Sequence, residues 1–389
     1  MEELIAIYRE LLSKVNTRFV RYLHGNIDWN ARLIAIIGAR GVGKTTLLLQ
    51  HIKLNKIENE SLYVSADNIF FSKNSLFELA GIFYKYGGKF FFVDEVHKYR
   101  NWSQEIKNIY DSYPGLQIVF TGSSILDVYK GFGDLSRRTL AYTLYGLSFR
   151  EFLLFEEGLE VNPARLGQII ENRIVINIEK PLPLFKKYLE YGYYPFYKEG
   201  QFNLRLNALI NVVLEVDIPK YMEMRTTTID KLKMLLQIIA ESAPFKPNMS
   251  KIAEMIQVSR NILPDYFSYL ERTKMILLLK NSTKGIRALG KLEKVYLDNT
   301  NLMSVLSPEK RNTGNIRETF FINQVSAGHT CTLPPDGDFL VNDNYLFEVG
   351  GKNKPRKQIA GLKNAFLVKD DIEYGYGNII PLWYFGLLY

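Results

Sequence analysis

Leu33-Ile34-Ala35-Ile36-Ile37-Gly38-Ala39-Arg40-Gly41-Val42-Gly43-Lys44-Thr45 decides the fold. Five apolar residues in a row, three of them β-branched, read as a strand buried on both faces. They run into G-x-x-x-x-G-K-T, after which Thr46-Leu47-Leu48-Leu49 continues as a helix. A loop of this composition between a strand and a helix cradles phosphate. Gly38, Gly41 and Gly43 let the backbone wrap closely enough for successive N–H groups to face phosphate oxygens. Lys44 would reach the β and γ oxygens, and the Thr45 hydroxyl would ligate Mg²⁺. Thr46 opens the helix, whose N-terminal dipole favours the anion, and belongs with the nucleotide-binding residues.

The second half of such a site lies about 50 residues further on, where Phe90-Phe91-Phe92-Val93 ends in Asp94-Glu95. Asp94 would hold the metal through its water shell, and Glu95 would polarise the attacking water as general base. A glutamate directly after the aspartate implies the class in which an extra strand lies between the two motif strands. Gln117–Phe120 supplies that strand, and it stops at Thr121-Gly122-Ser123-Ser124. Ser123 is placed to sense the γ-phosphate or the water; Thr121 is a rival, and a plain turn is the alternative to both. In Asp134-Leu135-Ser136-Arg137-Arg138, Arg138 would serve as a finger on a neighbour's γ-phosphate or as half of a surface basic pair.

Outward from these motifs, Ser61–Ser65 adds another buried strand, and helical stretches alternate with the strands up to about Leu147. That alternation predicts a three-layer α/β domain with a parallel sheet. Residues 2–24 read as an amphipathic helix carrying Leu4, Ile5, Tyr8, Leu11 and Leu12. From Ser148 to about Thr300 helical periodicity dominates, punctuated by prolines. In that region Ile252–Ile256, the turn Val258-Ser259-Arg260-Asn261 and a helix carrying Tyr266, Leu270 and Ile276 suggest a winged-helix segment. Arg260 and Asn261 would then lead into a major groove, or the unit would pack against protein instead. Pro264 must sit in the first turn of the second helix or kink it. The last 80 or so residues turn mixed again. The expected division is 1–150, 151–225, 226–300 and 301–389.

The composition fits this reading. Of 389 residues, 47% are hydrophobic and 23% charged, which excludes disorder and low-complexity repeats. One cysteine, Cys331, cannot form an internal bridge, and four separated histidines give no zinc pattern. The acidic start and the lack of an apolar run near the roughly 18 residues a membrane span needs read as a cytoplasmic chain with no membrane partner. A net charge of +8 is compatible with a polyanionic partner without demanding one.

Gly38–Thr45, Phe90–Glu95, Thr121–Ser124 and the stretch from Arg138 through Leu147-Ser148-Phe149-Arg150-Glu151-Phe152 together resemble the bacterial and archaeal AAA+-type ATPases. Arg137 stands where that family carries glycine. Tyr188-Leu189-Glu190-Tyr191-Gly192-Tyr193-Tyr194-Pro195 is similar to the family's Y-L…G-G-F-P, with Tyr193 replacing a glycine. The resemblance implies an ATPase domain, helical and winged-helix segments, and a C-terminal domain resembling restriction-endonuclease folds. It also implies ATP, favoured further by the absence of an Asn-Lys-x-Asp guanine motif. Hydrolysis would then move the segments that follow; a slow nucleotide-dependent switch that docks on DNA or protein is the second reading, with self-association left open.

In the tail, Glu318, Asp338 and Glu348 follow the order of metal-dependent nucleases, in which two carboxylates bind Mg²⁺ and a lysine stabilises the attacked phosphate. The expected lysine position is Gly350; Lys352 and Lys354 are displaced replacements, with Gln358 expected to open a helix. An ATP-controlled nuclease and a lost active site both fit this order. Lys352, Lys354, Arg356 and Lys357 form a basic run that would lie along a nucleic-acid backbone or face solvent.

Overall fold

The computed structural model describes all residues except 123–134, 136, 176–177, 220–225, 243, 282–291, 311 and 356–358. Ser123, Ser124, Asp134, Ser136, Arg356, Lys357 and Gln358 therefore lie outside the described residues. The chain divides into two compact units, Met1–Tyr145 and Gly146–Tyr389.

The first unit is built on five parallel strands: β1 (Leu33–Ile37), β2 (Ser61–Ser65), β3 (Phe90–Asp94), β4 (Gln117–Gly122) and β5 (Leu140–Thr143). Their order is β2-β3-β4-β1-β5, so β4 lies between the two motif strands as expected. Every residue of β1 is buried, as its apolar run requires of a central strand. Helices α2 (Lys44–Asn55), α3 (Leu76–Lys85) and α4 (Trp102–Ser112) make the crossovers. Ser75 starts α3 with a capping box closed by Glu78, which satisfies two helix-end donors at once. The result is a three-layer α/β domain. Strand β5 was not expected. Its residues are only partly covered, with Leu140 43% exposed, so this edge strand lacks the apolar signature of the others.

Helix α1 (Glu2–Lys14) stops ten residues short of the expected end. It buries Leu4 and Tyr8, and the backbone turns extended at Val15 before a short 3₁₀ turn at Tyr22–Asn26. Two histidines that the sequence separates come together there. His24 Nε2 and His51 Nδ1 lie 3.4 Å apart, and Trp29 stacks on the His51 ring. Among the described residues, no group of three or more His, Cys, Asp and Glu side chains could hold a metal ion.

The second unit begins with α5 (Phe149–Glu157), capped by Ser148 and Glu151. Helices α6 (Leu166–Ile170), α7 (Pro181–Tyr191) and α8 (Phe202–Val212) follow. Next come α9 (Thr226–Ser242), α10 (Met249–Met255), α11 (Leu263–Arg272) and an antiparallel hairpin, β6 (Ile276–Lys280) and β7 (Leu292–Leu297). This hairpin corrects the sequence reading: α11 ends at Arg272, and Ile276 starts a strand instead of extending the helix. Pro264 does sit in the first turn of α11.

Helices α12 (Thr300–Leu306) and α13 (Thr313–Val325) lead into a mixed sheet of order β12-β11-β10-β9-β8. Its strands are β8 (Cys331–Thr332), β9 (Phe339–Val341), β10 (Tyr345–Gly350), β11 (Ala365–Lys369) and β12 (Ile379–Pro381). Phe149, Phe185, Tyr188, Phe320 and Trp383 share one aromatic core, in which the Phe185 and Phe320 rings meet at 4.7 Å.

The Tyr188–Pro195 motif has a clear job in this unit. Tyr188 donates its hydroxyl to the Leu147 carbonyl at 2.7 Å and accepts from Gln324 at 2.9 Å. The Tyr193 N–H bonds Asn301 Oδ1 at 2.8 Å, and the Tyr193 hydroxyl donates to buried Asp298 at 3.2 Å. The Tyr193 ring fits because Gly146 faces it: a Cβ on Gly146 would lie 2.4 Å from that ring. Gly146→Ala should lower the unfolding free energy by about 1–3 kcal/mol, the usual cost of overpacking. Urea unfolding measures this, and an unchanged midpoint would contradict the close packing.

Candidate functional site

The carboxyl ends of β1, β3 and β4 bring the predicted phosphate residues together, as open α/β sheets do with ligand-binding groups. Gly41 and Gly43 hold positive φ values of 80° and 97°, a conformation that favours glycine. Gly38 is required for a different reason: a Cβ there would stand 2.3 Å from the Leu144 carbonyl oxygen. Lys44, starting α2, folds its amine back onto the loop and donates to the Gly38 and Ala39 carbonyls at 3.0 and 2.9 Å.

Asp94 is 2% exposed and gathers hydroxyls from three elements. Its Oδ2 accepts from Thr45 of α2 at 2.5 Å and from Tyr63 of β2 at 2.8 Å. Its Oδ1 accepts from the Thr121 hydroxyl of β4 and from the Glu95 N–H at 3.1 Å. Burial raises the Asp94 pKa; the Thr121, Thr45 and Tyr63 hydroxyls oppose that rise, while the nearby Glu95 carboxylate adds to it.

Glu95 sits in the left-handed region at φ 52°, which costs a non-glycine residue about 1–3 kcal/mol. Its N–H also donates to Thr121 Oγ1 at 3.0 Å. Its carboxylate faces buried His97, with Oε2 3.5 Å from Nε2. The backbone turn after β3 thus brings Glu95 out to one side while Asp94 stays buried.

Sequence reasoning missed three contributors. Arg21, 4% exposed, donates to the Val42 carbonyl of the phosphate loop and to the Tyr145 carbonyl, the latter at 2.8 Å. No local pattern marks Arg21, because its partners lie in distant segments. Tyr63 is hidden within an apolar run, and His97 reads as an ordinary residue after the acid pair. Thr121 was a rival to Ser123, and it bonds both Asp94 and Glu95. Arg138 pairs with Asp111 at 3.3 Å.

In the tail, Glu318, Asp338 and Glu348 do converge, and burial, ahead of their mutual repulsion, raises the pKa values of Glu318 and Glu348. Lysines enter with them. Lys294 of β7 holds Glu318 Oε2 at 2.6 Å and lies 3.9 Å from Asp338. Lys354 bonds Glu348 Oε1, whereas Lys352 is exposed. Glu348 Oε2 is buried without a hydrogen-bond partner.

Residues 30–153 match the family model of an AAA domain. The first unit is an AAA+-type domain. Beyond the AAA domain, residues 182–313 match a domain of unknown function. The uncharacterized protein MJ1637 of Methanocaldococcus jannaschii is 28% identical over 267 residues, covering 63% of this chain. The match spans only 56% of that curated relative, little more than half its length. Among solved structures, a Walker-type ATPase of Pyrococcus abyssi is similar at 14% identity and TM-score 0.46, over 74% of this chain and 95% of that one. AMPPCP-bound DnaA from Aquifex aeolicus is a more distant likeness, at 17% identity and TM-score 0.26, over 68% and 86%. Among the described residues, no helix is long and apolar enough to cross a membrane.

Thr121→Val keeps the shape of the AAA domain's β4 end but removes the donor to Asp94 and the acceptor for the Glu95 N–H. Stability should fall by about 1–3 kcal/mol. Denaturant unfolding reads this, and a neutral substitution would contradict the role given to the hydroxyl.

Proposed function

We propose that the AAA domain binds ATP with Mg²⁺ and hydrolyses it. The observation that carries this reading is the 2.5 Å contact between Thr45 Oγ1 and Asp94 Oδ2. It joins the helix after the phosphate loop to the acid pair of β3. Gly38, Gly41, Gly43, Lys44 and Thr46 would bind the phosphates. The residues fit a divalent ion: Thr45 and Asp94 present oxygen ligands side by side, and burial raises the free energy of an uncompensated Asp94 charge. When bound, Mg²⁺ supplies positive charge against the β and γ oxygens.

Glu95 is the base in this proposal. It takes a proton from a water whose oxygen bonds to the γ-phosphorus as the bond to the β-phosphate oxygen breaks, leaving ADP and phosphate. Thr121 orients Glu95 through its backbone N–H. Ser123 keeps its proposed sensing role. Arg138 keeps its proposed role as a finger toward a neighbouring copy, for which it would have to leave Asp111.

A winged-helix reading of 226–300 draws support from three helices followed by a hairpin, and from the antiparallel bridge of Phe245 to Val295. Arg260 and Asn261 are exposed at the turn before α11 and are the residues proposed to meet DNA. Hydrolysis would move this segment and the tail. A metal-dependent nuclease does not fit the tail. Glu318 and Glu348 are paired with Lys294 and Lys354, and among the described residues no group of three or more His, Cys, Asp and Glu side chains could hold a metal ion, so we propose no cleavage step here. Supercoiled plasmid incubated with Mg²⁺ or Mn²⁺ should stay intact; nicking lost in Asp338→Ala would contradict this.

Phosphate release under multiple turnover tests the main proposal. Glu95→Gln should retain ATP binding while release falls at least 100-fold, the range lost with a general base. Unchanged turnover would remove Glu95 from its role. Duplex DNA added at low and high salt distinguishes a nucleic-acid partner, which would stimulate release only at low salt, from none.

A further inference from the structure

Asp94 Oδ2 receives two hydroxyls of different standing. Thr45 belongs to the phosphate loop's own helix, and its hydroxyl oxygen faces the ligand in the proposed function. Tyr63 comes from the neighbouring strand β2, whose Ser65 is paired with Asp94 in the parallel register. Alternation along β2 puts Tyr63 on the same face as Ser65. From there its phenol reaches forward to the carboxylate at 2.8 Å.

Tyr63 is itself held firmly. It is 4% exposed, and its ring stacks on Tyr8 of α1 with centroids 6.5 Å apart. Tyr8 is tied in turn to the Glu58 carbonyl at 3.3 Å. The hydrogen bond runs from the phenol to the carboxylate, so Tyr63 acts as a donor toward Asp94. A donor fixed in this way sets the plane of the carboxylate and consumes one lone pair of Oδ2. Thr45 holds the other Oδ2 site, and Thr121 and the Glu95 N–H hold Oδ1, so an ion approaching from the phosphate side would take the place of the Thr45 hydrogen bond.

We propose that Tyr63 is a positioning residue for the divalent ion, fixing Asp94 so that the site binds Mg²⁺ tightly while Tyr63 touches neither metal nor nucleotide. This rests on the reading of Asp94 as the metal-holding carboxylate, and it assigns the N-terminal helix a part in the site through the Tyr8–Tyr63 stack.

The test uses the full chain and a fluorescent ATP analogue titrated with Mg²⁺. In Tyr63→Phe the analogue should bind as in the parent when metal is absent, because the loop and Lys44 are untouched. The Mg²⁺ concentration for half-maximal tightening should rise roughly tenfold, as expected for one lost hydrogen bond to a charged group. Electron paramagnetic resonance of Mn²⁺ with ATP gives a readout independent of turnover and should show the same loss in Tyr63→Phe. In an Asp94→Asn background, Tyr63→Phe should add little, since the two act through one contact. A folded Tyr63→Phe protein with the parent's Mg²⁺ requirement would overturn the proposal, as would a full additional effect in the Asp94→Asn background. If the parent chain binds no nucleotide, or binds it identically with and without Mg²⁺, the ATP reading fails first and takes this inference with it.

Discussion

A buried carboxylate at the end of β3 is the constraint on which the first unit is organised. Removing a charge from water is expensive, and an interior tolerates it only when strong donors surround it. Asp94 has four donors, from α2, β2, β4 and its own following peptide. Each must arrive at the right height, so the carboxylate fixes the relative positions of three strands and the loop helix. The same arrangement leaves a concentrated negative charge beside a glycine-rich loop, a combination suited to a divalent ion and a phosphate chain. The structural requirement and the proposed chemistry therefore meet in one side chain.

The legible parts of the fold were those where burial is complete. Strands β1, β3 and β4 are continuous apolar runs ended by glycines or acids, and their order followed from Glu95 standing next to Asp94. Strand β5 escaped because half of its short length faces outward. The hairpin of β6 and β7 escaped because Ile276 and Leu279 extend, by accident of spacing, an apolar pattern begun by α11. Local sequence does not encode contacts between distant segments, which is why Arg21 beneath Val42 and Tyr63 beside Asp94 came only from the structure. In the tail the acidic trio and Lys354 as a candidate partner were legible, but Lys294 was not. Lys294 arrives from a different strand, and Lys354 folds back where the Gly350-Gly351 turn leaves room, since a Cβ on Gly350 would meet the Lys354 side chain at 2.6 Å.

The second unit shows polar side chains holding an aromatic core together. Tyr188, Tyr193, Asn301 and Gln324 are buried, and each is bonded across elements. Burying them without partners would cost more than the packing returns, so the network specifies how α7, α12 and α13 meet. This accounts for the Tyr188–Pro195 motif as a structural device. It also explains how Tyr193 can replace a glycine: its ring takes the space left by Gly146, and its hydroxyl meets Asp298.

Nucleotide binding by the phosphate loop is decided by calorimetric titration of the full chain with a non-hydrolysable ATP analogue, with and without Mg²⁺, run beside Lys44→Ala. Saturable one-site binding that tightens with Mg²⁺ and disappears in the Lys44 variant is expected. Absence of heat in the parent chain, or the same binding curve in both proteins, would contradict it.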